Sequence, residues 1–298
     1  MKSIKIDESF EISQVTAGCM RAADAKMEGD NFLRFVESCM DMGVTTFDHA
    51  PVYGGYTCEK LFGDAVLRKK PEIREKMQLI TKTGIVLKER YGNKTIYYNS
   101  SKEEIIREMD ESLQNFGTDH VDILLVHRPD PLGDPAETAD ALDTLVAEGK
   151  VRYVGVSNFM PYQIETLQSY MKNRIVINQV ELSVKNTENY FNGVTDNAFY
   201  RRMPLMAWSP LGGGSVFGGQ DEQSVRLRKV LGEIADAHGT SIDVIMYAWL
   251  FVHPVGIAAI TGTMNAGRVK SAVDALEMKL SYDEWYQILE ASRGYSVP

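Results

Sequence analysis

Residues 101–127 read SKEEIIREMDESLQNFGTDHVDILLVH, and the change of pattern inside that stretch decides the fold. Over 101–116 the apolar residues Ile105, Ile106, Met109, Leu113 and Phe116 recur at helical spacing, which predicts an amphipathic helix. Ser101 followed by Glu104 has the form of a capping box, and Gly117 supplies a natural stop. Val121 to Val126 is then almost continuously apolar, as a parallel strand covered on both faces must be. Working outward, the same alternation reaches both ends of the chain. Strands are predicted at 15–20, 44–48, 77–82, 121–127, 151–156, 175–180, 204–208 and 256–260, with helical patterns between them. Eight strand–helix units over ~250 residues predict an α/β fold of the (β/α)8 TIM-barrel kind rather than an open sheet.

Two segments fall outside the repeat: 3–13 is predicted as an N-terminal β-hairpin and 281–291 as an extra C-terminal helix. Nothing resembles an interdomain linker, so 1–298 is read as one barrel domain. Long loops follow the strands at 84–100, 128–135, 182–200 and 209–222. Strand C-terminal ends are where this architecture builds its sites.

The 298 residues are 44% hydrophobic and 24% charged, an ordinary globular balance. A formal net charge of −9 argues against a general nucleic-acid binder, which needs a basic face. Cys19, Cys39 and Cys58 are sparse and show no CxxC spacing, which suggests reduced thiols rather than a disulfide framework or zinc site. The N-terminal MKSIKIDESFEIS has no apolar core of signal-peptide length. No apolar run approaches the ~18 residues of a membrane span. A soluble, cytoplasmic protein with no membrane partner is expected, and nothing in the sequence demands more than a monomer.

Four polar residues fall at or just past the ends of three successive predicted strands. Asp48 closes GVTTFD, Tyr53 follows in HAPVYGG, Lys82 closes MQLITK and His127 closes VDILLVH. In a parallel barrel these ends share one rim, so the four side chains can converge. Such a set suits carbonyl reduction, in which charge developing on oxygen must be protonated or met by fixed donors. A phenol is a slow acid near neutrality, with an ordinary pKa of about 10. A buried Lys82 ammonium would lower that value, and the Asp48 carboxylate would keep the lysine charged. His127 would donate to the carbonyl oxygen.

The stretches GVTTFDHAPVYGGYTCEKLFG, LITKTG, SLQNFGTDHVDILLVHRPDP, LVAEGKVRYVGVSNF, INQVELS and MAWSPLGGG appear in order along nearly the whole chain. Together they resemble the successive signatures of the aldo-keto reductase superfamily, closest to its bacterial general-oxidoreductase branch. The resemblance implies a catalytic tetrad of Asp48, Tyr53, Lys82 and His127, and reversible reduction of small aldehydes or ketones. It further implies that Ser157, Asn158 and Gln179 hold a nicotinamide carboxamide, with Trp208 stacked on the ring. Gly18, Cys19 and Met20, ending the first strand, and Asp48 complete the expected nicotinamide-side contacts.

For the phosphates, the loop Ser209-Pro210-Leu211-Gly212-Gly213-Gly214 offers backbone N–H groups. Gly262, Thr263 and Met264 lead into a helix whose N-terminus offers more. Arg268 matches the family's arginine at the adenosine 2′-phosphate, and no acidic residue lies between Ile260 and Asp274. NADPH is therefore expected ahead of NADH. Gly262 stands where many members carry lysine, and Ser271 and Ala272 replace polar adenine-binding residues. No GxGxxG strand–turn–helix unit is present, so nucleotide binding has no Rossmann source.

Met20, Arg21, Met27, Tyr56, Tyr91, Tyr97, Phe191 and Phe217 lie in or near rim loops and are candidates to line a carbonyl pocket. Two other readings stand beside reduction. One is a cofactor-binding sensor on the same scaffold, like the potassium-channel β subunits. The other is a metal-dependent hydrolase using Asp48, His49 and His127, which lacks the usual HxH pair on the first strand.

Overall fold

Eight parallel strands close into a barrel in the computed structural model, which describes residues 2–297. They are β1 (Val15–Gly18), β2 (Thr46–Asp48), β3 (Gln78–Thr83), β4 (Val121–Val126), β5 (Val151–Ser157), β6 (Ile175–Glu181), β7 (Leu205–Trp208) and β8 (Ile257–Thr261). Each strand pairs with its sequence neighbours, and β8 closes on β1 through Ala259, Ile260 and Thr261 opposite Val15, Thr16 and Ala17. All eight predicted strands are present.

Side-chain alternation along the strands builds two layers. Ile80, Ile123, Leu125, Ile177, Met206, Ala258 and Ile260 point into the barrel and are buried together. Gly155 makes this layer possible, because a Cβ there would lie 2.6 Å from Leu125 Cδ2 and 2.7 Å from Ile177 Cγ2. The other register faces the helices; Phe47, Leu79, Leu124 and Val126 pack there against Phe32, Phe62, Met109 and Phe116. The predicted hairpin forms from Ser3–Lys5 and Glu11–Ser13. Its Ile4, Ile6, Phe10 and Ile12 join the inner layer, and Phe10 stacks on Tyr153 near the start of β5 at 4.8 Å. The hairpin therefore plugs the N-terminal end of the barrel and leaves the C-terminal rim as the mouth.

The helix Lys102–Phe116 forms where its periodicity places it, and Gly117 ends it at φ 73°. Only half of the expected capping box is made. Ser101 accepts from the Glu104 N–H, but the Glu104 carboxylate pairs with Arg107, and the Ser101 N–H bonds Asn99 Oδ1 instead. A complete box appears at Ser281 and Glu284, which start the C-terminal helix Tyr282–Arg293. The long loops are more structured than their composition suggests. Residues 84–100 contain a short antiparallel pair, Ile85–Val86 with Tyr97–Tyr98, and 182–200 runs into the helix Val194–Arg201.

Glu108 ties the helix Lys102–Phe116 to the mouth. Its Oε2 accepts from the Gly84 N–H at 2.7 Å and the Thr83 hydroxyl at 2.8 Å. Burial is the dominant influence on the carboxyl, pushing its pKa up to about 7. A carboxyl raised on folding favours the folded state at low pH and loses that contribution as pH rises through its folded value. Glu108→Gln is therefore expected to melt progressively higher relative to wild type as pH rises from about 4.5 to about 7, and the difference should level off above that. Thermal unfolding of both proteins across that range checks it; a pH-independent difference contradicts it.

Candidate active site

Strand register alone selects the residues at the mouth. Gly18, Asp48, Lys82, His127, Ser157, Gln179 and Trp208 all fall at or next to the C-terminal ends of successive strands, on the face that carries the inner core layer. Lys82 is the hub. Its Nζ donates to Asp48 Oδ1 at 2.7 Å, to the His49 carbonyl at 2.7 Å and to Tyr53 Oη at 3.0 Å. An ammonium has three donors, and all three are used. The Lys82 and Asp48 side chains are 0% and 3% exposed, so this is a buried ion pair. Asp48 Oδ2 accepts from Gln179 Nε2 at 2.8 Å, which links β2 across the mouth to β6. Tyr53 comes from the loop after β2, folded back by its N–H on the Ala50 carbonyl. Its ring stands edge-on to His127 with centroids 6.1 Å apart. The four tetrad candidates therefore converge.

Their electrostatics differ in one respect from the sequence expectation. Burial pushes the Tyr53 phenol up, and the adjacent Lys82 ammonium pulls it back without cancelling the rise. The net pKa lies above its ordinary value, not below it. Lys82 itself loses charge stability through burial, but Asp48 and Tyr53 overcompensate and hold it above the usual lysine range. His127 is kept well below its ordinary value by burial and by the charges of Lys82 and Arg128. Near neutrality the trio is thus a protonated phenol, an ammonium and a neutral imidazole.

His49 is turned the other way. It is fully buried between Phe62 and Phe116, with ring centroids at 4.6 and 5.1 Å, and neither ring nitrogen has a partner. Burial first, then Lys82, lowers its pKa to about 3. Its ring therefore does not meet Asp48 and His127, and the three do not form the site a metal-dependent hydrolase requires.

The residues assigned to the nicotinamide form a chain of hydrogen bonds from β5 to β7. Trp208 Nε1 donates to Asn158 Oδ1 at 2.9 Å, Asn158 Nδ2 to Ser157 Oγ at 2.8 Å, and Ser157 Oγ to the Gln179 carbonyl at 2.9 Å. Asn158 sits at φ 62°, a left-handed conformation that asparagine tolerates better than most residues. Ser209, directly after Trp208, is likewise left-handed at φ 51°. Both strained positions lie on the rim, where strand direction changes.

Gly18 permits β1 and β8 to close: a Cβ there would lie 2.7 Å from Ile260 Cγ2 and 2.9 Å from the Thr261 carbonyl. Cys19 is fully buried with its Sγ toward the Ala17 carbonyl, whereas Met20 is exposed. Leu211 and Gly212 begin a short helical turn, and Gly213 and Gly214 have nothing within 4 Å of an added Cβ. Beyond β8, Thr263 Oγ1 accepts from the Asn265 N–H and Asn265 caps the helix Ala266–Asp274 through the Gly267 N–H. Met264 is half-buried, Gly262 lies against Arg21, and Arg268 is exposed in the helix's first turn.

Several pocket candidates instead hold loops in place. Tyr56 Oη accepts from the Leu87 N–H and its ring lies under Arg90, which also packs on Tyr91. Phe191 packs under Arg293, and Met27 is buried. Conversely, sequence reasoning passed over Arg128, whose Cζ lies 5.7 Å from the Trp208 ring centre. Its position directly after His127 was the available signal.

A model described as the Aldo/keto reductase family matches residues 14–293. The chain is 44% identical over 301 residues to the uncharacterized oxidoreductase YcsN of Bacillus subtilis, with 100% of each covered. It is 39% identical over 300 residues to a 6-dehydroglucose reductase of Agrobacterium fabrum, again with 100% of each covered. Against oxidoreductase YdhF of Escherichia coli the identity is 40%, covering 97% of this chain and 96% of YdhF. Among solved structures, the thermostable aldo-keto reductase Tm1743, crystallised with the inhibitor epalrestat, matches with a TM-score of 0.81 at 25% identity. That match covers 98% of this chain and 100% of the other. The chain belongs to the aldo/keto reductase family. It is an NAD(P)H-dependent oxidoreductase of the carbonyl-reducing type.

Proposed function

We propose that this protein reduces small aldehydes and ketones to alcohols with NADPH, and that Tyr53 delivers the proton. The observation that carries the reading is the Lys82 ammonium bonded at once to Asp48 and to the Tyr53 hydroxyl at the barrel mouth. The donor set fits a nicotinamide cofactor: Ser157, Asn158 and Gln179 would hold its carboxamide and Trp208 its ring face, and the bound cofactor would supply the hydride. Tyr53, protonated near neutrality, places an O–H donor at the same mouth. Neutral His127 keeps a second N–H donor available there. Charge that builds on the carbonyl oxygen is met by these two fixed donors in a poorly solvated site, where such contacts act most strongly. Lys82 holds the Tyr53 oxygen in place and stabilises the phenolate that remains after proton transfer. Asp48, itself fixed by Gln179, keeps Lys82 charged. The identity to a 6-dehydroglucose reductase supports an aldehyde of about sugar size among the substrates.

Following the absorbance of reduced nicotinamide while the protein is incubated with NADPH and 4-methylbenzaldehyde tests the reading. Oxidation of NADPH with formation of the alcohol is expected; tight NADPH binding with no turnover contradicts it.

The preference for NADPH rests on Arg268. Its side chain makes no ion pair among the described residues, while its helix neighbours Lys270 and Asp274 pair with each other. Arg268→Ala is expected to weaken NADPH about tenfold or more, the scale of a lost charge-assisted contact, and NADH far less. Titrations of both nucleotides check this, and equal losses would reject a 2′-phosphate contact.

A further inference from the structure

The Arg128 guanidinium is a charge at the mouth that the tetrad does not use. It follows His127 directly and reaches across the rim from the end of β4 toward the end of β7, with Cζ 5.7 Å from the Trp208 ring centre. It is half-buried, and among the described residues it forms no ion pair and no hydrogen bond. Two nearby carboxylates, those of Asp48 and Asp130, are committed elsewhere. Asp48 is held by Lys82 and Gln179. Asp130 accepts from the Ser100 N–H and hydroxyl through one oxygen and from the Leu132 N–H through the other. Glu181, at the end of β6 in register with Trp208, makes no ion pair with it among the described residues. Arg128 is close enough to His127 for its charge to depress that imidazole's pKa. A cation–π contact with the indole face holds the guanidinium near the rim while leaving its N–H groups free. A partly buried cation with no ion-pair partner among the described residues is free to pair with an anionic ligand.

We propose that Arg128 is a specificity residue that binds a carboxylate on the substrate, so that the preferred substrates are aldehydes carrying a carboxylate group. The planar guanidinium fork matches a carboxylate through two parallel hydrogen bonds. The inference rests on the carbonyl-reductase reading and adds to it what the substrate carries beyond its reacting carbonyl.

The test compares kcat/KM for 4-carboxybenzaldehyde and 4-methylbenzaldehyde, with NADPH, in the wild type, Arg128→Met and Arg128→Lys. In the wild type the carboxylate is expected to be preferred about tenfold or more, the scale of a hydrogen bond to a charged group. That ratio should fall toward one in Arg128→Met and be partly restored in Arg128→Lys, with the change carried by KM. It should also shrink as salt is raised in the wild type. A wild-type ratio near one, or a ratio unchanged by Arg128→Met, overturns the inference while turnover of the methyl compound leaves the parent reading standing. Turnover of neither aldehyde by the wild type overturns both. A glyceraldehyde-to-propanal ratio that moves with Arg128 while the carboxylate ratio does not would overturn the carboxylate in favour of hydroxyl recognition.

Discussion

Replacing Tyr53 by Phe is expected to lower kcat for carbonyl reduction about 10²–10⁴-fold, the usual worth of a positioned acid, while NADPH affinity stays within about threefold. The substitution removes one oxygen. The ring that stands edge-on to His127 remains, and Lys82 keeps its bonds to Asp48 and to the His49 carbonyl. The ion pair and the mouth should therefore survive, so the loss reads the missing proton and not a collapsed site. Steady-state turnover together with nucleotide titration separates the two quantities. A variant with near-wild-type kcat would remove Tyr53 as proton donor and leave His127 as the remaining neutral donor in the trio.

Lys82→Met should be costlier still, because it strikes both structure and chemistry. Asp48 is buried, and without the ammonium its charge keeps only the Gln179 amide as a partner among the described residues. Breaking one side of a buried ion pair typically destabilises by about 3–5 kcal/mol. The melting temperature should fall accordingly. In the alcohol-oxidising direction Tyr53 must act as a phenolate. Lys82 is what opposes the rise that burial imposes on its pKa. Removing the ammonium raises that pKa further, so the limb on which the oxidation rate rises with pH should move to higher pH and the remaining rate should drop. Thermal unfolding and a pH–rate profile check the two effects separately. An unchanged profile in a folded variant would detach the lysine from the tyrosine's acidity.

The barrel was legible because its strands are covered on both faces and its helices on one, and those two demands leave different periodicities. Val121–Val126 and the helix Lys102–Phe116 are the clearest pair. The inward register, which brings Asp48, Lys82, His127, Ser157, Gln179 and Trp208 to one rim, follows from counting alternate residues back from the strand ends. What stayed hidden depends on competition between partners. Ser101 and Glu104 carry the capping-box spelling, but Arg107 takes the glutamate. The Tyr53 pKa was expected to fall because its neighbour is a cation; its net direction depends on how deeply the ring is buried, which no motif spells. The reach of Arg128 to Trp208 joins the ends of strands three apart in the barrel, a distance that local pattern does not encode.

A crystal structure with NADP bound tests the Tyr53–Lys82 pair most directly. The nicotinamide should lie against Trp208, its carboxamide on Ser157, Asn158 and Gln179, with the Tyr53 hydroxyl still on Lys82 and beside the hydride-bearing carbon. A dinucleotide seated elsewhere, or one whose binding separates Tyr53 from Lys82, would contradict proton delivery by Tyr53.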